Sequence, residues 1–258
     1  MRNIDLLLGS RDGVVLTYYY TGMFDKTHHK RFKKCLASDF DTLYDSVAYR
    51  GYDFVTLANE WNRLVFDKGG RDWMVIGLED ELAKPDDMTL YVHKFIACYK
   101  WLLKHPEYEE IWIVDSCDTE MLSLPDPKDG IIYTGYDAFF PEFDRNVNFD
   151  WFLGGVKYGV SMPQHFGVGA RNGDVEVKYL QTAHHDDLAY NCGVFGGKRE
   201  IVMEFLKDFA DRLSKNDIDL EMVAFNFLLY TKYKGKVEVC TTRMTLQEKD
   251  YTKWWRHK

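Results

Sequence analysis

The sequence predicts an α/β fold in which a mainly parallel sheet is flanked by helices. Short apolar runs bounded by glycine or polar residues recur through the first half of the chain, as is typical of strands. Longer segments carry apolar residues at three-to-four spacing, as is typical of amphipathic helices. The two patterns alternate along the chain, and alternation of this kind favours a parallel sheet with helical connections.

The predicted strands of the first half are short and rich in β-branched and aromatic residues. They cover residues 13–22, 52–59, 73–78, 111–114 and 130–136. The fourth of them, within "EEIWIVDSCDTEML", is apolar at every position, which predicts a strand buried on both faces.

The first predicted helix lies in "DDMTLYVHKFIACYKWLLKHPEY", with Asp86 or Asp87 near its start and His105-Pro106 at its end. Further along, "YNCGVFGG" predicts a short strand that passes through a Gly-Gly turn into a second helix. A third helix is predicted in "DIDLEMVAFNFLLYTKY", followed by one strand and a polar, aromatic end. The stretch between the predicted strand 130–136 and "YNCGVFGG", at about 139–173, is irregular and rich in glycine, which predicts a functional loop.

Two acids, Asp115 and Asp118, directly follow the buried strand 111–114. Parallel sheets bind ligands beyond the carboxyl ends of their strands, so both carboxylates are expected at such a crevice. Converging carboxylates repel each other, and hard oxygen ligands favour magnesium, manganese or calcium. The alternative is that Asp115 only caps the turn after the strand.

Composition narrows the class of protein. The 258 residues allow one large domain or two small ones, and the net charge of −8 argues against a nucleic-acid partner. Five scattered cysteines form no disulfide framework and no CxxC pair, which favours a reducing compartment. We find no signal peptide and no membrane span, so the expected location is cytoplasmic or otherwise soluble and intracellular.

The order of these motifs resembles the GT-A glycosyltransferases, Rossmann-like enzymes that use a nucleotide-diphosphate sugar. The likeness rests on "VVLTYYYTG", the helix and strand ending at "DSCDTEML", the string "YNCGVFGG" and the helical "EMVAFN". The chain looks most like those members that have a DxxD motif in place of DxD and that also carry an Asn-x-Gly-x motif. It implies one glycosyltransferase domain over 1–258, with a nucleotide-donor half at about 1–138 and an acceptor half at about 139–258.

The resemblance implies a divalent cation, Mn²⁺ or Mg²⁺, that bridges the two phosphates of a UDP- or GDP-sugar donor. Asp118 is then the main metal ligand, Asp115 contacts the metal or the ribose, and His257 is a further metal ligand. The other implied donor contacts are Thr17, Tyr18, Lys94, Asn191, Gly193 and Lys258. The alternative for His257 and Lys258 is that they belong to a frayed C-terminal tail without a role in binding.

The resemblance also implies an acceptor side, with a glycan or another hydroxyl compound as the acceptor. Glu221 would face the reacting centre, with Asp219 and Asp187 as competing choices for a catalytic base. His185 and Asn226 would line the acceptor site, although His185 could equally cap a loop.

Two other classes of protein compete with this interpretation. A phosphohydrolase with an aspartate nucleophile needs two acids one residue apart followed by Thr or Val, and "DSCDTE" has a different spacing. A non-catalytic carbohydrate-binding protein could use the high aromatic content of 16% for stacking, but it would not need the acidic pair.

Overall fold

The computed structural model describes residues 12–20, 24–25, 30–31, 37–59, 74–77, 88–136, 176, 179–180, 189–215, 221–241 and 251–257. The strands within these ranges are β1 Gly13–Tyr19, β2 Phe24–Asp25, β3 Lys30–Arg31, β4 Asp53–Ala58, β5 Met74–Gly77, β6 Glu110–Val114, β7 Thr119–Met121, β8 Ile132–Tyr136, β9 Tyr190–Lys198, β10 Val237–Val239 and β11 Trp255–His257. The helices are α1 Asp41–Ala48, α2 Leu90–Leu103, α3 Arg199–Lys215 and α4 Glu221–Tyr230, with a 3₁₀ turn at Ala37–Phe40.

Seven strands form the central sheet, in the order β10-β8-β9-β6-β1-β4-β5. Strand β1 pairs in parallel with β4 and β6, and the β4–β5 and β10–β8 pairs are also parallel. Among the described strands of this sheet, β9 alone runs in the opposite direction, antiparallel to both β6 and β8. The predicted α/β fold with a mostly parallel central sheet is confirmed.

The sheet is covered on both faces, because alternate residues of its strands enter different cores. On β6, Ile111 and Ile113 pack with helices α2, α3 and α4, whereas Trp112 and Val114 pack with α1, Met121 and Trp255. All five residues of β6 are buried, as the apolar run predicts. The strand end that carries Asp115 is therefore held on a rigid element.

The structure fixes the start of one helix and corrects one predicted turn. Helix α2 begins at Leu90, and its N-cap is Thr89, whose side chain accepts a hydrogen bond from the Val92 amide; Asp86 and Asp87 lie outside the described residues. The predicted Gly-Gly turn is wrong, because β9 runs through Gly196 and Gly197 and the helix follows only at Arg199.

Close packing explains why glycine occurs at position 196. A Cβ there would lie 2.4 Å from both the Ile111 carbonyl oxygen and the Trp112 ring. The glycine thus lets β9 lie directly against the large Trp112 side chain, so its role is contact between strands rather than a turn.

Strands from both predicted halves share the central sheet, since β9 and β10 come from beyond residue 138. The division into donor and acceptor halves stays a prediction, and the whole irregular stretch 139–173 lies outside the described residues. Among the described helices, none combines the length and apolar character needed to cross a membrane.

Candidate metal and donor site

Three potential metal ligands meet beyond the carboxyl end of β6. The chain bends at residues 116–118, and β7 pairs with β11, which places His257 beside the two acids. The ligand atoms of Asp115, Asp118 and His257 all lie within 4.8 Å of one another. The Nε2 atom of His257 is 3.3 Å from Asp115 Oδ2 and 3.8 Å from Asp118 Oδ1.

This arrangement fits a divalent cation. Two ligand atoms that each lie about 2.1 Å from one ion at right angles are about 3 Å apart, which is near the 3.3 and 3.8 Å that separate His257 Nε2 from the two carboxylates. Two carboxylates and an imidazole form a mixed oxygen and nitrogen set. Because Mg²⁺ prefers oxygen ligands, the imidazole favours Mn²⁺ of the two predicted ions.

Gly193 leaves room for this cluster. A Cβ at position 193 would lie 2.0 Å from Cε1 of His257 and 2.8 Å from Oδ2 of Asp115. The backbone contact is equally close, since the Asp115 amide donates to the Gly193 carbonyl at 2.8 Å. A side chain at this position would displace the imidazole, so the site requires glycine.

Lys94 reaches the same carboxylate from helix α2. Its Nζ lies 2.6 Å from Asp115 Oδ1, and its side chain is only 7% exposed, against 43% for Asp115. The lysine occupies one carboxylate oxygen and leaves the other facing His257. Lys94 therefore orients Asp115 in addition to placing positive charge at the site.

The ionisable groups of the site shift one another's pKa values. Burial opposes ionisation of Asp115, but the charges of Lys94 and His257 outweigh it and hold the Asp115 pKa well below its usual value. Partial desolvation and the neighbouring Asp115 charge raise the pKa of the half-exposed Asp118 carboxyl. Burial would lower the pKa of His257, but its contacts with Asp115 and Asp118 raise it above 6.5.

These shifts predict that Mn²⁺ affinity rises with pH through neutrality. Protons must leave His257 and Asp118 before the cation binds, and both groups hold their protons to higher pH than usual. We expect affinity to increase from about pH 6 to about pH 8, as measured by calorimetric titration. His257→Gln should lose the step near neutrality, and a flat profile in the unaltered protein would contradict the assignment.

Thr17 and Tyr18 at the end of β1, which the resemblance places against the nucleotide base of the donor, are buried and bonded within the protein. The Thr17 hydroxyl donates to the Val114 carbonyl at 3.0 Å, which joins β1 to β6 beside the acids. The Tyr18 hydroxyl is hydrogen-bonded to His93 Nδ1 at 2.8 Å, and burial raises the Tyr18 pKa far above its usual value. These hydrogen bonds stabilise the carboxyl end of β1. Binding of the nucleotide base by Thr17 and Tyr18 stays a prediction.

Asn191 lies where β9 departs from its regular pairing with β8. Thr134 pairs with Phe195 but Gly135 pairs with Asn191, so the register skips residues 192–194. The Asn191 Oδ1 atom accepts a hydrogen bond from the Gly193 amide at 2.7 Å. Irregular strands of this kind re-aim backbone at functional sites, and the irregularity here adjoins Gly193, which lies against Asp115 and His257.

Glu221 begins helix α4 and is buried close to the same part of β9. Its Oε1 atom is 3.9 Å from the Sγ of Cys192, the residue next to Gly193. Cys192 was not predicted as a site residue, although its position inside the Asn-x-Gly motif was a usable signal. Glu221 thus borders the segment of β9 that includes Gly193, which lies against Asp115 and His257.

Asn226 is fully buried and bonded to the start of β9. Its amide accepts from the Tyr190 N–H at 2.8 Å and donates to the Tyr190 and Met222 carbonyls, each at 2.9 Å. These bonds give Asn226 a positioning role for β9, and the predicted acceptor contact stays a prediction.

Replacing Asn226 by Leu should destabilise the protein by about 2–4 kcal/mol, because buried backbone groups of Tyr190 lose their partner. The free energy of unfolding from urea denaturation measures this loss. Glu238→Gln, at an exposed position, is the control and should change stability by less than about 0.5 kcal/mol. A similarly small change in Asn226→Leu would contradict the positioning role.

Four predicted residues lie outside the described part of the chain. They are Asp187, Asp219, His185 and Lys258.

Comparisons with known proteins found no matching family model and no matching curated protein. One solved structure that matches is described as "crystal structure of a glycosyltransferase involved in the glycosylation of the major capsid of PBCV-1". It shares 10% sequence identity at a TM-score of 0.44, over 95% of this chain and 93% of that chain.

Proposed function

We propose that this protein is a metal-dependent glycosyltransferase that moves a sugar from a UDP- or GDP-sugar to a glycan or another hydroxyl acceptor. The observation that carries the proposal is the cluster of Asp115, Asp118 and His257 at the carboxyl end of β6. In mostly parallel sheets this edge is where nucleotides bind. A cluster of cation ligands at that edge suits a diphosphate, which needs its charge neutralised.

Each residue of the cluster has a definite task in this proposal. Asp118, Asp115 and His257 would hold Mn²⁺ or Mg²⁺, which when bound stabilises the negative charge on the departing nucleotide diphosphate. Lys94 keeps Asp115 ionised and oriented through its contact with Oδ1. Gly193 keeps the space beside His257 open.

Glu221 is the candidate for the group that faces the reacting centre. A base must come within hydrogen-bond reach of the acceptor hydroxyl to take its proton, and Glu221 borders Cys192 next to the metal ligands. Asp219 and Asp187 remain competing candidates. We expect Glu221→Gln to reduce kcat more than it raises KM if Glu221 is that base.

A panel of UDP- and GDP-sugars, incubated with the protein and either Mn²⁺ or a chelator, tests the proposal. We expect hydrolysis or transfer of at least one donor only when the metal is present. Binding of free sugars without any nucleotide, together with no turnover of any donor, would instead identify a non-catalytic carbohydrate-binding protein.

A further inference from the structure

The small sheet formed by β7 and β11 joins the two parts of the metal cluster. Strand β7 directly follows Asp118, and β11 ends at His257. In their antiparallel register Trp255 pairs with Met121, Arg256 with Glu120 and His257 with Thr119. The register therefore decides whether the imidazole reaches the acids.

A ladder of three residue pairs is too short to hold its own register. A slip by one residue would turn His257 to the opposite face, away from Asp115 and Asp118. Trp255, on the same face as His257, opposes a slip because it is fully buried with its ring centroid 5.5 Å from that of Trp112.

The opposite face of this sheet carries an ion pair between Arg256 and Glu120, whose side chains are each only 12% exposed. Arg50 adds positive charge close to Glu120 and donates to the Leu122 carbonyl. After a one-residue slip, the Arg256 guanidinium would turn away from Glu120 and would be buried without that carboxylate. An unpaired buried charge is strongly unfavourable, so the pair selects the observed register.

We propose that Glu120 and Arg256 are positioning residues of the metal centre, and that cation binding is coupled to docking of β11 on β7. The inference rests on the metal site of the proposed function. A cation held by all three ligands binds only the docked strand, and by linkage it must stabilise that docking. Neither Glu120 nor Arg256 belongs to the ligand cluster.

Mn²⁺ affinity without nucleotide, from the EPR signal of free Mn²⁺, tests the positioning role. Arg256→Met should weaken Mn²⁺ binding about tenfold or more, a loss typical of mutations in the residues that position metal ligands. The double variant Glu120→Leu with Arg256→Met should recover most of the affinity, because the Glu120 carboxylate no longer stays buried without Arg256. Lys128→Met, which breaks an ion pair whose lysine is 70% exposed, is the control and should bind as the unaltered protein does.

Hydrogen exchange in the unaltered protein tests the coupling without changing Glu120 or Arg256. Mn²⁺ should slow amide exchange in residues 251–257, and Asp118→Asn should remove that effect. Absence of Mn²⁺-dependent protection overturns the coupling even if Arg256→Met fails to fold. Full Mn²⁺ affinity in a folded Arg256→Met variant overturns the positioning role alone, whereas an unaltered protein that binds no Mn²⁺ overturns the proposed function as well.

Discussion

Asp118→Ala should abolish sugar transfer while leaving the fold intact. Its side chain is 46% exposed beyond the end of a buried strand, so its loss removes little packing. We expect the free energy of unfolding to change by less than about 0.5 kcal/mol. Transfer should fall by a factor on the order of 10³, because the departing diphosphate loses a metal that contributes several kcal/mol.

Asp118→Asn should be nearly as harmful, since it keeps the shape of the side chain but removes its charge. Asp126→Asn, at an exposed position after β7, is the matched control and should retain turnover. Rates of sugar transfer by each variant, measured with and without Mn²⁺, test these expectations. Turnover like that of the unaltered protein in Asp118→Ala, with no response to added Mn²⁺, would mean that Asp115 and Asp118 only form a turn.

Gly193→Ala should lose metal binding through one added methyl group. The new Cβ would lie 2.0 Å from Cε1 of His257, so either the imidazole or β9 must move. We expect Mn²⁺ affinity to fall at least about tenfold, as it does when the partners that orient a metal ligand are lost. Stability should fall by about 1–3 kcal/mol, which is typical of overpacking.

The control for this change is Gly135→Ala on the neighbouring strand β8. A Cβ there would meet its nearest atom, the Asn191 carbonyl oxygen, at 3.2 Å, a much milder contact. Calorimetric titration with Mn²⁺ and urea denaturation should be performed on both variants. Unchanged Mn²⁺ affinity in a folded Gly193→Ala variant would show that His257 is not a ligand in the observed position.

Patterns within a short stretch of sequence predicted those elements whose burial depends on their own residues. The unbroken apolar run of β6 indicated burial on both faces, and both faces are covered. The direction of β9 and its passage through Gly196 could not be predicted in this way. They depend on contact with Trp112, which is far from Gly196 in sequence. Strands β7 and β11 are three residues each, too short for periodicity to reveal.

The same distinction applies to the candidate site. Asp115 and Asp118 were singled out from the residues themselves, because a buried strand ends beside them. Lys94 and His257 entered only through the resemblance, since tertiary packing alone brings them to Asp115. Glu120 and Arg256 were missed, because their pairing depends on the register between two strands from distant parts of the chain.

Asp115, Asp118 and His257 are proposed to hold one divalent cation. A crystal grown or soaked with Mn²⁺ and UDP or GDP, with anomalous scattering recorded for manganese, would locate that cation. We expect one strong anomalous peak about 2.2 Å from Asp118, Asp115 Oδ2 and His257 Nε2, next to the nucleotide diphosphate. A nucleotide bound with no such peak, or manganese bound elsewhere, would contradict it.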